Sequence, residues 1–82
     1  MRRIKLLFFA TLRDRAGMKS AEMQVPDGTT VRTLMELIGA EYPNLKPSLP
    51  TALIAVNREY AGEDVVLPDN ADVAFFPPVS GG

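Results

Sequence analysis

Cysteine and histidine are both absent from the 82-residue sequence. Their absence excludes disulfides, thiolate nucleophiles, iron–sulfur clusters and Cys/His zinc sites, and it removes the commonest general base. Carboxylates remain, but no spaced run of Asp and Asn resembles a calcium-binding loop. Any chemistry performed by this chain therefore depends on carboxyl, amine or hydroxyl groups, or on the end of the chain itself.

Long apolar segments are also missing. The first apolar run, residues 6–10, is too short for a transmembrane helix, and no signal-peptide cleavage region follows it. Hydrophobic residues make up 46% and charged residues 23% of the sequence, values that are ordinary for a single globular domain. We expect a cytoplasmic protein without a membrane partner.

Excess charge of one sign is lacking overall, and the net charge of −1 argues against a nucleic-acid partner. The charges are nevertheless unevenly distributed. Residues 1–19 hold six basic groups and one acidic group, whereas residues 59–82 hold five acidic groups and no basic one. The asymmetry has two explanations, either an ordinary solvated surface or an acidic rim around the C-terminal segment that attracts a basic partner.

The hydrophobic pattern predicts an α+β domain. Apolar, β-prone runs predict strands at residues 4–9, 21–25, 53–56, 65–67 and 73–76. Residues 11–17 are expected to form one helical turn ended by Gly17, and residues 31–42 the main helix, capped by Thr29 or Thr30. The three prolines of residues 43–50 predict a stiff surface loop, and residues 68–71 a turn. One amphipathic helix then covers one face of a mixed sheet, an α+β layer architecture.

Strand alternation predicts which side chains of the first and last strands face outwards. Lys5 is costly to bury without a partner, so its face of the first strand should be the outer one. In the last strand Asp72 fixes the outer face in the same way, which places Val73 and Phe75 in the core. If the two strands are neighbours, they form an exposed apolar patch made of Leu7, Phe9, Ala74 and Phe76. The alternative is that a loop or the curvature of the sheet covers these side chains.

The last strand leads into an unusual C-terminal segment. Pro77 and Pro78 donate no backbone hydrogen bond, so they end the strand and favour an extended polyproline conformation. Ser80, Gly81 and Gly82 have little side-chain bulk, so the segment can enter a narrow channel and present its carboxylate there. A frayed terminus is the structural alternative. We predict a domain of residues 1–78 followed by a flexible tail of residues 79–82.

Three segments carry a resemblance to a known family. Residues 7–17, 56–60 and 72–82 resemble the small subunit of molybdopterin synthase, the MoaD-type ubiquitin-like sulfur carriers. The ending Phe-Phe-Pro-Pro-Val-Ser-Gly-Gly is the most specific part, since carriers for thiamine synthesis usually lack the double proline. Asn70 departs from the usual Asp-Gly-Asp turn of the family. Because Asn accepts left-handed backbone conformations, the turn is expected to survive.

Together with the order of the predicted elements, the resemblance implies a β-grasp, ubiquitin-like fold, a mixed sheet with one main helix packed on one face. It also implies a reaction at Gly82. An E1-like adenylating enzyme (MoeB-type) would use ATP to activate its carboxylate, and a sulfur donor such as a cysteine desulfurase or rhodanese would convert it to a thiocarboxylate. The tail would then enter the large (MoaE-type) synthase subunit of a heterotetramer and transfer sulfur to cyclic pyranopterin monophosphate. The chain itself would bind no cofactor and no metal, and it would be a cosubstrate without catalytic side chains. The residues implied to contact partners are Leu7, Phe9, Tyr60, Ala74, Phe76, Pro77, Pro78, Val79, Ser80 and Gly81.

Other functions use the same features differently. A carrier for thiamine synthesis or tRNA thiolation would share the chemistry of the tail, and a ubiquitin-like modifier would attach the activated carboxylate to a target lysine. An interaction module with an inert tail would need none of that chemistry.

Overall fold

The computed structural model describes residues 1–78. Within this range the chain alternates between strands and short helices. The elements in chain order are β1 (Arg2–Phe8), α1 (Ala10–Ala16), β2 (Ser20–Val25), α2 (Val31–Glu41), a 3-10 helix (Pro43–Thr51), β3 (Leu53–Val56), β4 (Glu59–Tyr60) and β5 (Ala71–Phe76).

The strands form one mixed sheet in the order β2-β1-β5-β3-β4. The first and last strands, β1 and β5, are parallel neighbours at its centre, and the other pairs are antiparallel. Parallel strands need a long crossover connection, and here that connection contains α2. A mixed sheet with a leading hairpin and one main helix on one face is the β-grasp, ubiquitin-like architecture, as the sequence predicted.

The core lies between the sheet and α2. Alternate residues of the central strands are buried, as expected, among them Ile4 and Leu6 of β1 and Val73 and Phe75 of β5. The ring of Phe8 also lies in this core and stacks on Phe75, with 5.7 Å between ring centroids. From the helix side, the buried residues follow the predicted helical spacing and are Val31, Leu34 and Ile38.

Local hydrogen bonds fix the ends of the helices. The α1 helix ends at Gly17, whose φ of 75° lies in the left-handed region and whose N–H donates to the carbonyl of Arg13. Of the two predicted caps for α2, Thr30 is the one used, because its hydroxyl oxygen accepts the N–H of Thr33. Asn70 has a φ of 58°, so the prediction that it accommodates the left-handed turn is confirmed.

The predicted surface loop at residues 43–50 is wrong. Residues Pro43–Thr51 form a 3-10 helix that buries Leu45 and Leu49 against the core. The prolines suggested a loop because they oppose an α-helix, but they are compatible with short 3-10 turns.

The strand predicted at residues 65–67 is also wrong. Only an isolated bridge forms there, between Val66 and Thr30, while Val65 accepts the N–H of Val31 at the start of α2. The fourth strand of the sheet is instead Glu59–Tyr60, which pairs with the end of β3. The segment thus caps the helix rather than extending the sheet.

Candidate functional site

The outer face of the sheet, opposite α2, carries a row of apolar side chains. The strand register places Leu7 beside Ala74, Ala74 beside Ala55, and Ala55 beside Tyr60. The row therefore crosses four strands, β1, β5, β3 and β4, at one level of the sheet. Small alanines at its centre leave a depression between the larger side chains at either end.

Two aromatic rings lie next to this row. Phe9 and Phe76 stack nearly parallel, with 4.7 Å between ring centroids and 11° between ring planes. Phe9 is 42% exposed and Phe76 is half-buried. The backbone holds the pair in place, because the N–H of Phe9 donates to the carbonyl of Phe75. These are rigid, accessible rings of the type that supplies binding energy at interfaces.

Together these residues enclose an open groove of about 400 Å³, which we call the apolar groove. Its lining consists of Leu7, Phe9, Ala55, Arg58, Tyr60, Asp72, Ala74 and Phe76. Tyr60 is 76% exposed. An accessible groove lined by three aromatic rings is typical of a surface that binds another protein.

A tight turn borders the groove. Asn57 and Arg58 link β3 to β4, and both have positive φ, 50° and 72°. Two hydrogen bonds fasten Asn57 to β5, since its N–H donates to the carbonyl of Asp72 and its side-chain oxygen accepts the N–H of Asp72. Arg58 and Asp72 therefore sit on a fixed frame at the rim.

The structure confirms the predicted faces of both central strands. Leu7, Phe9, Ala74 and Phe76 share the outer face and line the groove together with Tyr60, so no loop among residues 1–78 covers them. Their role in partner binding stays a prediction.

Sequence reasoning did not assign Ala55, Arg58 or Asp72 to the site. Alternation along β3 could have placed Ala55 outwards. Its position beside Ala74 depends on the pairing of β3 with β5, which no local pattern reveals.

The groove lies beside the segment that leads to the tail. Pro77 is half-buried and Pro78 is exposed directly after β5. The predictions for Val79, Ser80, Gly81 and Gly82 lie outside the described residues. Along the chain, those residues follow within six positions of Phe76, the last residue of β5.

The acidic groups of the C-terminal part do not gather at the groove. Glu63 and Asp64 pair with Arg32 of α2, with 3.2 and 3.4 Å between the charged atoms. The carboxylate of Asp69 accepts the N–H of Arg3. Of the five acidic residues, only Asp72 lines the groove. The acidic rim around the C-terminal segment that the sequence suggested is therefore not formed at the groove, where Asp72 is the one acidic lining residue.

Residues 1–78 contain neither a cluster of metal-binding side chains nor a membrane-spanning helix. No group of three or more acidic residues lies close enough together there to hold a metal ion. None of the helices in this range has the length and apolarity needed to cross a membrane.

Comparison with known proteins identifies one family, and relatives that match nearly the whole chain. The model of the ThiS family matches residues 6–82. A molybdopterin synthase sulfur carrier subunit of Escherichia coli is 38% identical over 81 residues, which span 96% of this chain and 99% of that protein. A small archaeal modifier protein 3 of Haloferax volcanii is 36% identical, with 96% of this chain and 98% of that protein covered. Among solved structures, a candidate molybdopterin converting factor subunit 1 of Pyrococcus furiosus superposes with a TM-score of 0.87 at 32% identity, covering 96% of this chain and all of that one.

Proposed function

The chain belongs to the ThiS family, and from that premise we propose that it is the sulfur carrier subunit of a molybdopterin synthase. The observation that carries the proposal is the 38% identity over 96% of the chain with a carrier of that name. The names of such relatives favour the molybdopterin pathway over the thiamine and tRNA alternatives.

The proposed chemistry takes place at the carboxyl group of Gly82. A carboxylate is a poor acyl donor until one oxygen becomes part of a good leaving group. An E1-like enzyme would supply this by joining the carboxylate to the AMP portion of ATP with release of pyrophosphate. The terminal sulfur of a persulfide on the donor protein would then displace AMP and give an acyl disulfide, and a second thiol would cleave its S–S bond to release the thiocarboxylate. In the large subunit the sulfur would pass to the pterin precursor, and water would restore the carboxylate of Gly82. The sequence without cysteine or histidine is consistent with this division, since the carrier needs no catalytic side chain.

The apolar groove supports the proposal from the structural side. A carrier must dock reproducibly so that its tail enters the partner's active site, and docking requires an accessible, rigid surface near the tail. The stacked rings of Phe9 and Phe76 provide such a surface, and β5 connects it directly to Pro77 and Pro78. We propose that the large synthase subunit binds here and that the activating enzyme uses the same face in turn.

The decisive experiment changes the length of the tail. We expect deletion of Gly82, or addition of one residue after it, to abolish conversion of the pterin precursor in a reconstituted assay with the large subunit. Thermal unfolding should be unchanged, because terminal residues contribute little to a core. The matched control is Leu37→Ala at an exposed position of α2, across the sheet from the apolar groove, which should keep full conversion. Normal conversion by the truncated chain would falsify the carrier function.

A second candidate function is supported by the similarity to the archaeal modifier protein. A modifier would use the same activated carboxylate to form an amide bond with a lysine of a target protein. Intact-mass analysis separates the two outcomes, since a carrier gains one sulfur in place of oxygen, whereas a modifier appears in covalent conjugates of higher mass.

A further inference from the structure

Arg58 occupies a backbone position that suits other residues better. The two-residue turn between β3 and β4 has positive φ at both positions, the geometry of a type I′ hairpin turn. Asn is favoured at the first position, where Asn57 lies, and Gly at the second. A side chain with a Cβ is strained at a φ of 72°. Strained non-glycine positions cluster at functional sites, so the surroundings of Arg58 decide whether its side chain has a role.

The side chain of Arg58 lies at the apolar groove. It lines the rim together with Tyr60 and Asp72. Within residues 1–78 the ion pairs involve Met1, Arg2 and Arg32 as cationic partners, and none involves Arg58. Asp72 lines the same groove and is the register partner of Lys5 on β1.

Charge along the sequence makes Arg58 distinctive. It is the only basic residue in positions 47–82, a stretch that contains five acidic residues. A single cation on a fixed turn, in an otherwise acidic part of the chain and beside an apolar groove, is complementary to a partner surface with an apolar centre and one carboxylate at its edge.

We propose that Arg58 forms an ion pair with a carboxylate of the large synthase subunit when that subunit docks on the apolar groove. The proposal rests on the proposed function and adds a recognition residue to it. The turn, fastened to β5 through Asn57, holds the backbone of Arg58 at the rim of the groove, so less backbone freedom is lost on docking than for a charge on a mobile loop. Arg58 then sets the register of the complex, while the aromatic rings provide most of the contact area.

The substitution Arg58→Gly tests this proposal, because it should lower affinity without lowering stability, whereas loss of a purely structural residue would lower stability. Glycine relieves the strain of the turn, so the midpoint of denaturant unfolding should stay the same or rise. Affinity for the purified large subunit should nevertheless fall roughly 5- to 30-fold, the range of an interface arginine. The weakening of binding with added salt should become shallower, because one charge pair is lost.

Three further variants make the result specific. Arg58→Gln keeps most of the aliphatic stem without the charge and should bind as weakly as Arg58→Gly. Asn57→Gly loosens the same turn while retaining Arg58, so its affinity should lie between that of the unmodified chain and that of Arg58→Gly. Lys46→Ala removes one positive charge from the helix side of the sheet, where Lys46 lies against Gly39 of α2, and should bind normally.

Several outcomes would overturn the proposal. Normal affinity of Arg58→Gly or Arg58→Gln at low salt would exclude the ion pair. An equal loss of affinity in Lys46→Ala would mean that the net charge of the chain, and not the position of Arg58, determines binding. The proposed function is tested by a separate measurement, the transfer of sulfur from a preformed thiocarboxylate at a saturating concentration of the large subunit. There Arg58→Gly should still transfer sulfur, whereas deletion of Gly82 should not.

Discussion

Phe75 and Phe76 are adjacent in β5, yet they lie in different environments. Phe75 is fully buried in the core, whereas Phe76 is half-buried and stacks on Phe9 at the groove. Alternation along a strand was sufficient to predict this difference, because Lys5 fixes the outer face of β1 and Asp72 that of β5. The positive φ of Ala10, 52°, was not predictable, since alanine gives no local signal for a left-handed conformation.

At the residue scale we predict that Phe76→Ala weakens binding to the large subunit by roughly 1–3 kcal/mol. Phe9→Ala should do the same to a lesser degree. Because Phe76 is only half-buried, Phe76→Ala should lower the free energy of unfolding by less than the roughly 3–5 kcal/mol typical of a buried Phe→Ala change. Phe75→Ala is the matched control and should show that larger loss. Titration calorimetry and denaturant unfolding of each variant provide the two measurements. Unchanged affinity with a large loss of stability in Phe76→Ala would mean that its ring belongs to the core.

At the scale of elements, most strands and α2 were predictable because the spacing of their apolar residues follows a single period, two residues in a strand and about 3.6 in a helix. The segment Pro43–Thr51 was not, because its prolines indicate a break in the chain while its two buried leucines respond to tertiary packing. The apolar run at residues 65–67, Val-Val-Leu, shows the reverse case. Its propensity favours a strand, but the hydrogen bonds of Val65 and Leu67 go to the start of α2 and to Thr29.

The 3-10 helix leads to a prediction of its own. We expect Leu45→Ala to lower the free energy of unfolding by about 2–5 kcal/mol, because the side chain is fully buried against the core. Leu37→Ala, on the 38% exposed position of α2, should change it by no more than about 0.5 kcal/mol. Urea unfolding of both variants is the measurement. Equal, small losses would indicate the surface loop that the prolines first suggested.

At the scale of the whole molecule, sequence order and the family resemblance together were enough for the fold, but composition and periodicity alone were not. The parallel pairing of β1 with β5 joins residues that are far apart in sequence, such as Leu7 and Ala74. The apolar groove exists only through that pairing, because Ala55, Ala74 and Tyr60 come from three different strands. A candidate site assembled across strands in this way becomes predictable only once the topology is known.

The arrangement of the whole molecule also predicts where catalysis does not take place. The carboxylates outside the groove are exposed, and two of them make surface contacts that leave them in ordinary environments, Asp64 beside Arg32 and Asp69 bonded to the N–H of Arg3. We therefore expect Asp64→Asn and Asp69→Asn to leave sulfur transfer from a preformed thiocarboxylate nearly unchanged. Single-turnover rates with saturating large subunit isolate that step from activation and docking. General acid–base catalysis contributes about a hundredfold or more, so a loss of that size in either variant would show that this chain supplies a proton-transfer group. Rates close to those of the unmodified carrier would instead leave the catalytic side chains to the partner, with this chain contributing the reactive end and the surface that positions it.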